Sequence, residues 1–371
     1  MSFYDVIHSY DWDEIQKEID GRSREDVERA LAARTLGFDD LLSLLSPAAE
    51  PFLEEMAQRA HRLTVQRFGL VMGMFAPLYL SNVCTNRCVY CGFNAGNAIT
   101  RLTLTLEDAE TEGESLRRMG FHTVLLLSGE APQIITEEYL KRVLGRLRPH
   151  FSSIGIEMFP MTAGRYRELI GQGVDGLTVF QETYDEASYG EFHPEGRKSD
   201  YRWRLETPER GGAAGFRRLG IGALLGLNNW RVEGFFVALH ASHLLRTCWK
   251  SQLAISFPRL CSSAGGYEPC FPVTDCHLVQ LICALRLFLP DVGFTLSTRE
   301  LPALRDCLIP LGITTMSAGS HTEPGGYSRP GVGGAQFEVA DGRSPGAVAE
   351  VLRRTGYEPV WKEWDGASAF V

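Results

Sequence analysis

Residues 74–93 read MFAPLYLSNVCTNRCVYCGF, a continuous apolar run that is followed at once by three cysteines. The run over residues 74–83 is short and apolar on both faces, which is typical of a buried strand in a parallel sheet. The cysteines Cys84, Cys88 and Cys91 have the spacing C-x3-C-x2-C and begin where the predicted strand ends. The stretch therefore predicts a strand that delivers three thiols to one end of a sheet.

Seven further apolar runs follow this one, and an amphipathic stretch comes after most of them. The runs lie at residues 123–127, 154–159, 176–180, 221–227, 253–258, 292–296 and 313–317. Buried strands that alternate with helices indicate an α/β fold with a parallel sheet covered on both faces. One of the amphipathic stretches, residues 203–219, is predicted as a single helix. Right-handed crossovers and a count of eight strands favour a closed (β/α)8 TIM-type barrel, and a doubly wound open sheet is the alternative.

An N-terminal helical extension precedes these strands. Apolar residues recur at helical spacing over 26–32, 38–45 and 51–68. We expect one structural domain with three parts: a helical segment over 1–70, a barrel core over 71–343, and the last barrel helix with a C-terminal tail over 344–371.

The Gly-rich segment 325–334 follows the eighth run. In a barrel it would lie at the face that carries the active site, either as a lid or as a plain surface loop.

The charge of the chain argues against nucleic acid as a partner. The 371 residues carry a formal net charge of −9, whereas binding to a phosphate backbone needs clustered Lys and Arg. The basic groups, such as Arg197-Lys198 and Arg217-Arg218, are pairs that we interpret as solvated faces. No run approaches the ~18 apolar residues of a membrane span, and residues 1–12 do not resemble a targeting signal. We expect a cytoplasmic protein with no membrane partner.

The cysteine content indicates a reducing compartment and one metal centre. Nine cysteines are an odd number, and three of them lie in one short loop, which is unlike a disulfide framework. Ferredoxin-type clusters use four cysteines and structural zinc uses four ligands, but this loop offers three. The triplet therefore predicts a [4Fe–4S] cluster in which one iron has no protein ligand. Buried free thiols, or a zinc site with a distant ligand, are the alternatives. Cys276 and Cys283 are seven apart on a predicted helix and are expected in the core.

The triplet is the signature of the radical S-adenosylmethionine (SAM) superfamily. Along its whole length the chain resembles the 2-iminoacetate synthases, the tyrosine lyases of thiamine biosynthesis. The matching segments are DWD at 11–13, LSPAA at 45–49, PLYLSN at 77–82, CGF at 91–93, QETY at 181–184, WRLETP at 203–208, ISFPRL at 255–260, LSTRE at 296–300, PGGY at 324–327 and VWKEWD at 360–365. The resemblance implies a barrel that holds Cys84, Cys88 and Cys91 on a [4Fe–4S] cluster with SAM on the open iron.

The resemblance also implies a set of SAM contacts at successive strand ends. Ser128-Gly129-Glu130 is similar to the G-G-E segment of the family, with Ser128 in place of the first glycine. The other implied SAM contacts are Glu157, Gln181, Glu182 and Arg204. A polar strand-to-helix turn, or surface salt bridges, would be the structural explanation of the same residues.

On the substrate side, the resemblance implies that Tyr79, Arg299 and Ser317 hold the substrate α-carboxylate. A buried carboxylate needs a cation and hydrogen-bond donors, so this grouping is chemically consistent. A helix-start salt bridge between Arg299 and Glu300 is the alternative. Arg259 and His321 are candidates for contact with the phenol.

The implied reaction is cleavage of the Cα–Cβ bond of L-tyrosine to 2-iminoacetate (dehydroglycine) and p-cresol. SAM is converted to 5′-deoxyadenosine and methionine, and the product serves assembly of the thiazole moiety of thiamine. Implied partners are thiazole synthase and an external electron donor of flavodoxin or ferredoxin type.

Three rival functions are open. A hydrogenase maturase that cleaves tyrosine carries a second cluster in a C-terminal extension, and no cysteine follows Cys307 here. A tryptophan lyase would share the architecture and differ in its pocket. A non-catalytic electron-transfer protein would need a fourth cysteine ligand.

Overall fold

Eight parallel strands close into a barrel in the computed structural model, which describes residues 2–260 and 266–362. Cys261 and the matching segment at residues 363–365 lie outside the described residues. The strands are β1 (Val71–Ser81), β2 (Thr123–Ser128), β3 (Ser153–Glu157), β4 (Gly176–Thr178), β5 (Arg218–Gly222), β6 (Gln252–Ser256), β7 (Gly293–Leu296) and β8 (Thr315–Ser317), with a ninth strand β9 (Glu358–Val360) outside the ring. Because β1 pairs with both β2 and β8, the predicted TIM-type barrel is confirmed and the open sheet is wrong.

The helices surround this barrel and extend before it. They are α1 (Phe3–Ile7), α2 (Trp12–Asp20), α3 (Arg24–Ala32), α4 (Phe38–Leu45), α5 (Leu53–Phe68), α6 (Leu106–Arg118), α7 (Glu137–Leu147), α8 (Ala163–Gly171), α9 (Glu186–Phe192), α10 (Tyr201–Leu205), α11 (Thr207–Ala214), α12 (Trp230–Thr247), α13 (Asp275–Phe288), α14 (Pro302–Leu308) and α15 (Pro345–Arg354). Within the described residues, none of these helices has the length and apolar character that a bilayer crossing requires.

Local sequence explains where many of these helices begin. The side chains of Thr105, Thr136 and Ser344 accept hydrogen bonds from backbone N–H groups three residues later, at the starts of α6, α7 and α15. A hydroxyl at this position satisfies a donor that the first helical turn leaves unpaired. These caps place helix starts just after the loops that leave the barrel mouth.

The N-terminal helices cover two barrel helices that are apolar on most sides. Helix α5 packs on α13, and α4 packs on both α12 and α13. Gln280 donates to the carbonyls of Leu44 and Ser46, and Arg231 forms an ion pair with Glu50 at 2.6 Å. A helix that is hydrophobic all round must be buried, so the extension supplies the outer cover of this side of the barrel.

Three local predictions were wrong. The fifth strand is Arg218–Gly222 and not residues 221–227, because the apolar residues after it turn at Gly226, whose φ is +115°. The stretch 203–219 is divided between α10, α11 and the start of β5, since α11 begins at Thr207 with Pro208 in its first turn and β5 begins at Arg218. Residues 358–360 form a strand along β1 where a tail was expected.

The prediction that Cys276 and Cys283 both lie in the protein core is correct for only one of them. Cys283 is buried, whereas Cys276 lies in the first turn of α13 and is exposed. The first turn of α13 is exposed because the buried residues of this helix begin only at Leu278.

Small side chains leave the barrel interior partly open. Gly155, Gly176, Gly220 and Ala254 line a cavity of about 260 Å³ that extends from the mouth into the barrel. Barrel interiors are usually filled by layers of branched aliphatic side chains. The fold therefore forms a chamber below the carboxyl ends of its strands.

Candidate active site

The cysteine loop lies directly on the end of β2. Gly129 N–H donates to the Ser81 carbonyl at 2.9 Å, and Thr85 N–H donates to the Glu130 carbonyl at 2.9 Å. A Cβ atom on Gly129 would lie 2.3 Å from the Val83 carbonyl oxygen and 3.0 Å from Cys84 Cβ. Only glycine allows this approach, so residue 129 fixes how closely the loop packs on the barrel.

The three thiols of the loop lie close enough to affect one another. The pKa of Cys88 is raised to about 12, mainly by burial and to a lesser extent by the neighbouring Cys91 and Cys84, against the lowering effect of the Lys198 ammonium. Burial likewise raises the pKa of Cys91. Thiols in this setting ionise when a metal supplies positive charge, so the set fits a metal cluster next to a lysine.

The placement of the three thiols distinguishes a single-metal site from a cluster site. Within residues 2–260 and 266–362, no three or more His, Cys, Asp or Glu side chains are placed to hold a single metal ion. A four-iron cluster needs a wider set, because each thiolate binds a different iron.

The segment 128–130 presents polar groups beside this loop. The Glu130 carboxylate accepts from Asn86 Nδ2 at 2.7 Å. Ser128 Oγ and, three residues after β4, Gln181 Nε2 are buried and have no hydrogen-bond partner in the described part of the chain. Since buried polar atoms are normally paired, these two are suited to a polar ligand such as SAM.

Glu182 is the centre of an ion cluster at the barrel mouth. Its carboxylate lies 2.6 Å from Lys198 Nζ and 3.3 Å from an Arg204 nitrogen. Burial opposes ionisation, but Lys198 and Arg204 together hold the pKa of Glu182 below its usual value. Glu182 also has a φ of 73°, a conformation that costs a non-glycine residue about 1–3 kcal/mol. Such strain is typical of functional sites.

The Arg204 guanidinium is held by protein partners beside Glu182. Its Nε donates to the Phe180 carbonyl at 2.6 Å, and Glu182 takes another of its donors. Glu182 and Lys198 line the cavity, whereas Arg204 does not, and neither do Ser128, Gly129, Glu130 and Gln181. The structure therefore brings Arg204 to the site as a support for Glu182.

Glu157 ends β3 and lines the same cavity. Burial and the nearby Glu182 carboxylate raise the pKa of Glu157 to about 7, against the opposing effect of Arg299. A buried carboxyl that is poised near neutrality can both donate and accept hydrogen bonds.

The three residues expected to hold a carboxylate share one cavity. Tyr79, Arg299 and Ser317 all line it. The Arg299 guanidinium stacks 3.4 Å above the centre of the Phe337 ring, which fixes its plane. The Glu300 carboxylate is bound by Arg259 Nε at 2.9 and 3.1 Å.

The two candidates for contact with the phenol do not reach the cavity. Arg259 forms ion pairs with Glu300 and Asp275, and neither Arg259 nor His321 lines the cavity. His321 Nδ1 lies 3.2 Å from Glu323 instead.

Family comparisons agree with this geometry. The radical SAM superfamily profile matches residues 78–237, and the biotin and thiamin synthesis associated domain profile matches residues 256–358. The chain is 47% identical to 2-iminoacetate synthase of Escherichia coli (strain K12) over 365 residues, which are 98% of this chain and 97% of that protein. The chain belongs to the 2-iminoacetate synthase family. As a member it is a radical SAM lyase, and the superfamily implies a [4Fe–4S] cluster and SAM.

Solved structures give the same fold for this family member. A crystal structure of HydG, a maturase of the [FeFe]-hydrogenase, superimposes with a TM-score of 0.88 at 30% identity, over 94% of this chain and 80% of that one. HydG from Carboxydothermus hydrogenoformans superimposes with a TM-score of 0.83 at 30% identity, over 96% and 82% of the two chains.

Some residues of this 2-iminoacetate synthase family site escaped the sequence analysis. Lys198 and Arg218 were interpreted as solvated, but Lys198 binds Glu182, Arg218 binds Asp175 at 3.2 Å, and both line the cavity. Gln336 and Phe337 also line it, after the Gly-rich segment. Their only sequence signal was the position of that segment after the eighth strand.

The Gly-rich segment itself is tied to the barrel. The Tyr327 hydroxyl donates to the Pro77 carbonyl at 2.7 Å, and Arg329 lies 2.6 Å from Asp108. Tyr327 and Ser328 also donate backbone N–H groups to Glu112. These contacts fasten the segment to β1 and α6, and no residue of 325–334 lines the cavity.

We predict that Gly129→Ala reduces iron incorporation while the fold survives. The new methyl group would push the cysteine loop away from β2, because backbone atoms of Val83 cannot yield as a flexible side chain would. Iron content per folded chain after anaerobic reconstitution is the measurement. Gly145→Ala is the matched control, because nothing lies within 4 Å of a Cβ at that helical position. Equal iron content in both variants would contradict the assigned role of Gly129.

Proposed function

We propose that this chain cleaves the Cα–Cβ bond of L-tyrosine to 2-iminoacetate and p-cresol, with SAM converted to 5′-deoxyadenosine and methionine. The observation that carries the proposal is one cavity that holds the expected carboxylate-binding side chains, Tyr79, Arg299 and Ser317, beside Cys91 of the cysteine loop. The 47% identity to a 2-iminoacetate synthase over nearly the whole chain supports this reaction over that of the maturase, whose structures are 30% identical.

Cys84, Cys88 and Cys91 would hold the cluster, and the polar groups at the ends of the neighbouring strands would hold SAM. When bound, the cluster and SAM supply an electron and a 5′-deoxyadenosyl radical. The SAM contacts in this proposal are Ser128, Gly129, Glu130, Glu157, Gln181 and Glu182, with Arg204 acting through Glu182. Ser128 Oγ and Gln181 Nε2 support this assignment, because both are buried without a hydrogen-bond partner in the described part of the chain.

Arg299 and Ser317 would hold the substrate carboxylate, and Tyr79 lines the cavity beside them with its hydroxyl hydrogen donated to Gln336 Oε1. The guanidinium of Arg299 has a plane fixed by Phe337, and a planar fork suits a carboxylate. Ser317 is 2% exposed and Tyr79 is 4% exposed, so the carboxylate would lie away from bulk water. Hydrogen bonds in such a site position the substrate strongly.

The role in thiazole assembly for thiamine also belongs to this proposal. The match to the biotin and thiamin synthesis associated domain over residues 256–358 supports it. Thiazole synthase would take up the iminoacetate, and a flavodoxin or ferredoxin type donor would supply electrons.

The proposal predicts the products. Reconstituted protein given SAM, reductant and tyrosine is expected to form p-cresol and 5′-deoxyadenosine, as measured by mass spectrometry under anaerobic conditions. Cys88→Ala should abolish both products, because the cluster loses one of its three ligands. Cys276→Ala should leave both unchanged, since Cys276 is exposed on α13. Cleavage of tryptophan at a comparable rate would assign the chain to the tryptophan lyases.

A second prediction concerns Arg299. Arg299→Ala should lose tyrosine cleavage by about 10²-fold or more, because radical abstraction depends on one hydrogen held within reach. Binding of SAM and slow formation of 5′-deoxyadenosine should persist, as measured by ligand titration and product analysis. Arg299→Lys keeps the charge but not the planar guanidinium, so its rate of tyrosine cleavage should lie between those of the wild type and Arg299→Ala. Normal tyrosine cleavage by Arg299→Ala would place the carboxylate site elsewhere.

A further inference from the structure

A short strap of chain after the eighth strand, residues 334–337, lies along the cysteine loop. Gly92 N–H donates to the Gln336 carbonyl at 3.0 Å, and Gly334 N–H donates to the Thr100 carbonyl at 3.0 Å. The Asn82 side chain donates to the Gly334 carbonyl at 3.0 Å. A Cβ atom on Gly92 would lie 2.5 Å from the Gln336 carbonyl oxygen. The backbone at Gln336 is therefore fixed against the residue that follows Cys91.

The Gln336 side chain bridges a strand residue and a thiol of the cysteine loop. The Tyr79 hydroxyl donates to Gln336 Oε1 at 2.7 Å, and Gln336 Nε2 lies 3.8 Å from Cys91 Sγ. A thiolate accepts hydrogen bonds and cannot donate them, so the amide NH2 must face the sulfur. Tyr79 holds the amide in that orientation, because its hydroxyl occupies the carbonyl end.

We propose that Gln336 is a positioning residue which donates a hydrogen bond to the Cys91 thiolate and raises the reduction potential of the cluster. This inference rests on the proposed function, in which Cys91 is a cluster ligand. Hydrogen bonds to cluster sulfurs are one of the determinants of iron–sulfur potentials. Reduction adds negative charge to the cluster, and a donor at 3.8 Å stabilises that charge.

The surroundings make this donor effective. Tyr79 is almost fully buried, and burial is the largest influence on the pKa of Cys91. Cys91 also accepts from the Phe93 backbone N–H, so Gln336 adds a side-chain donor to a backbone donor. Outer residues that hydrogen-bond to metal ligands commonly tune the metal.

The test is a redox titration of the reconstituted protein, followed by EPR in the absence of SAM. Gln336→Met keeps the length of the side chain and removes the donor, so the midpoint potential should become more negative than that of the wild type. Tyr79→Phe keeps Gln336 but frees its amide, and should shift the potential in the same direction. Gln66→Met is the control, because residue 66 is exposed on the distant helix α5 and should leave the potential unchanged.

A second readout identifies the hydrogen bond itself. Electron–nuclear double resonance of the reduced cluster in D2O should show an exchangeable deuteron that is absent from Gln336→Met. A variant with about four irons per chain and with the wild-type potential and deuteron signal would overturn the inference. If Gln336→Met takes up no iron, Tyr79→Phe decides, and an unchanged potential there overturns the inference. A wild-type protein without a four-iron cluster would instead refute the proposed function, and this inference with it.

Discussion

The pairing of β1 with both β2 and β8 is the constraint on which the site depends. The register aligns Ser81 with Ser128 on one side and Phe75 with Ser317 on the other. Closure in this register brings the carboxyl ends of distant strands to one mouth, where barrel enzymes assemble their sites. The cysteine loop begins at that point, so its thiols, the buried acids and Arg299 meet without any long connection.

The buried charges at the barrel mouth are neutralised by ion pairs between side chains and not by solvent. Glu182 is held ionised by Lys198 and Arg204, while Glu157 nearby has a pKa raised to about 7, mainly by burial. A buried carboxylate needs paired donors. Glu182 has two cations within 3.3 Å, whereas burial and the charge of Glu182 dominate at Glu157. The cavity therefore offers both a fixed negative charge and a carboxyl that can lose or keep its proton.

The sequence was sufficient for the barrel and for the cysteine loop, because both depend on local pattern. Lys198 could not be recognised, since its partner Glu182 is brought to it only by tertiary folding. Gln336 was missed for the same reason, and the fifth strand was misplaced because buried loop residues after Gly222 are as apolar as a strand. Arg259 was expected to contact the phenol, but its side chain forms ion pairs with Glu300 and Asp275, which only tertiary folding brings to it.

We propose that the thiolates of Cys84, Cys88 and Cys91 hold a four-iron cluster whose fourth iron is open to SAM. Mössbauer spectroscopy of protein reconstituted with ⁵⁷Fe, recorded before and after SAM is added, tests it most directly. We expect about four irons per chain, of which one changes its isomer shift on binding SAM while the other three do not. Four irons whose isomer shifts all stay unchanged when SAM is added, or a single iron bound by thiolates, would rule out this cluster.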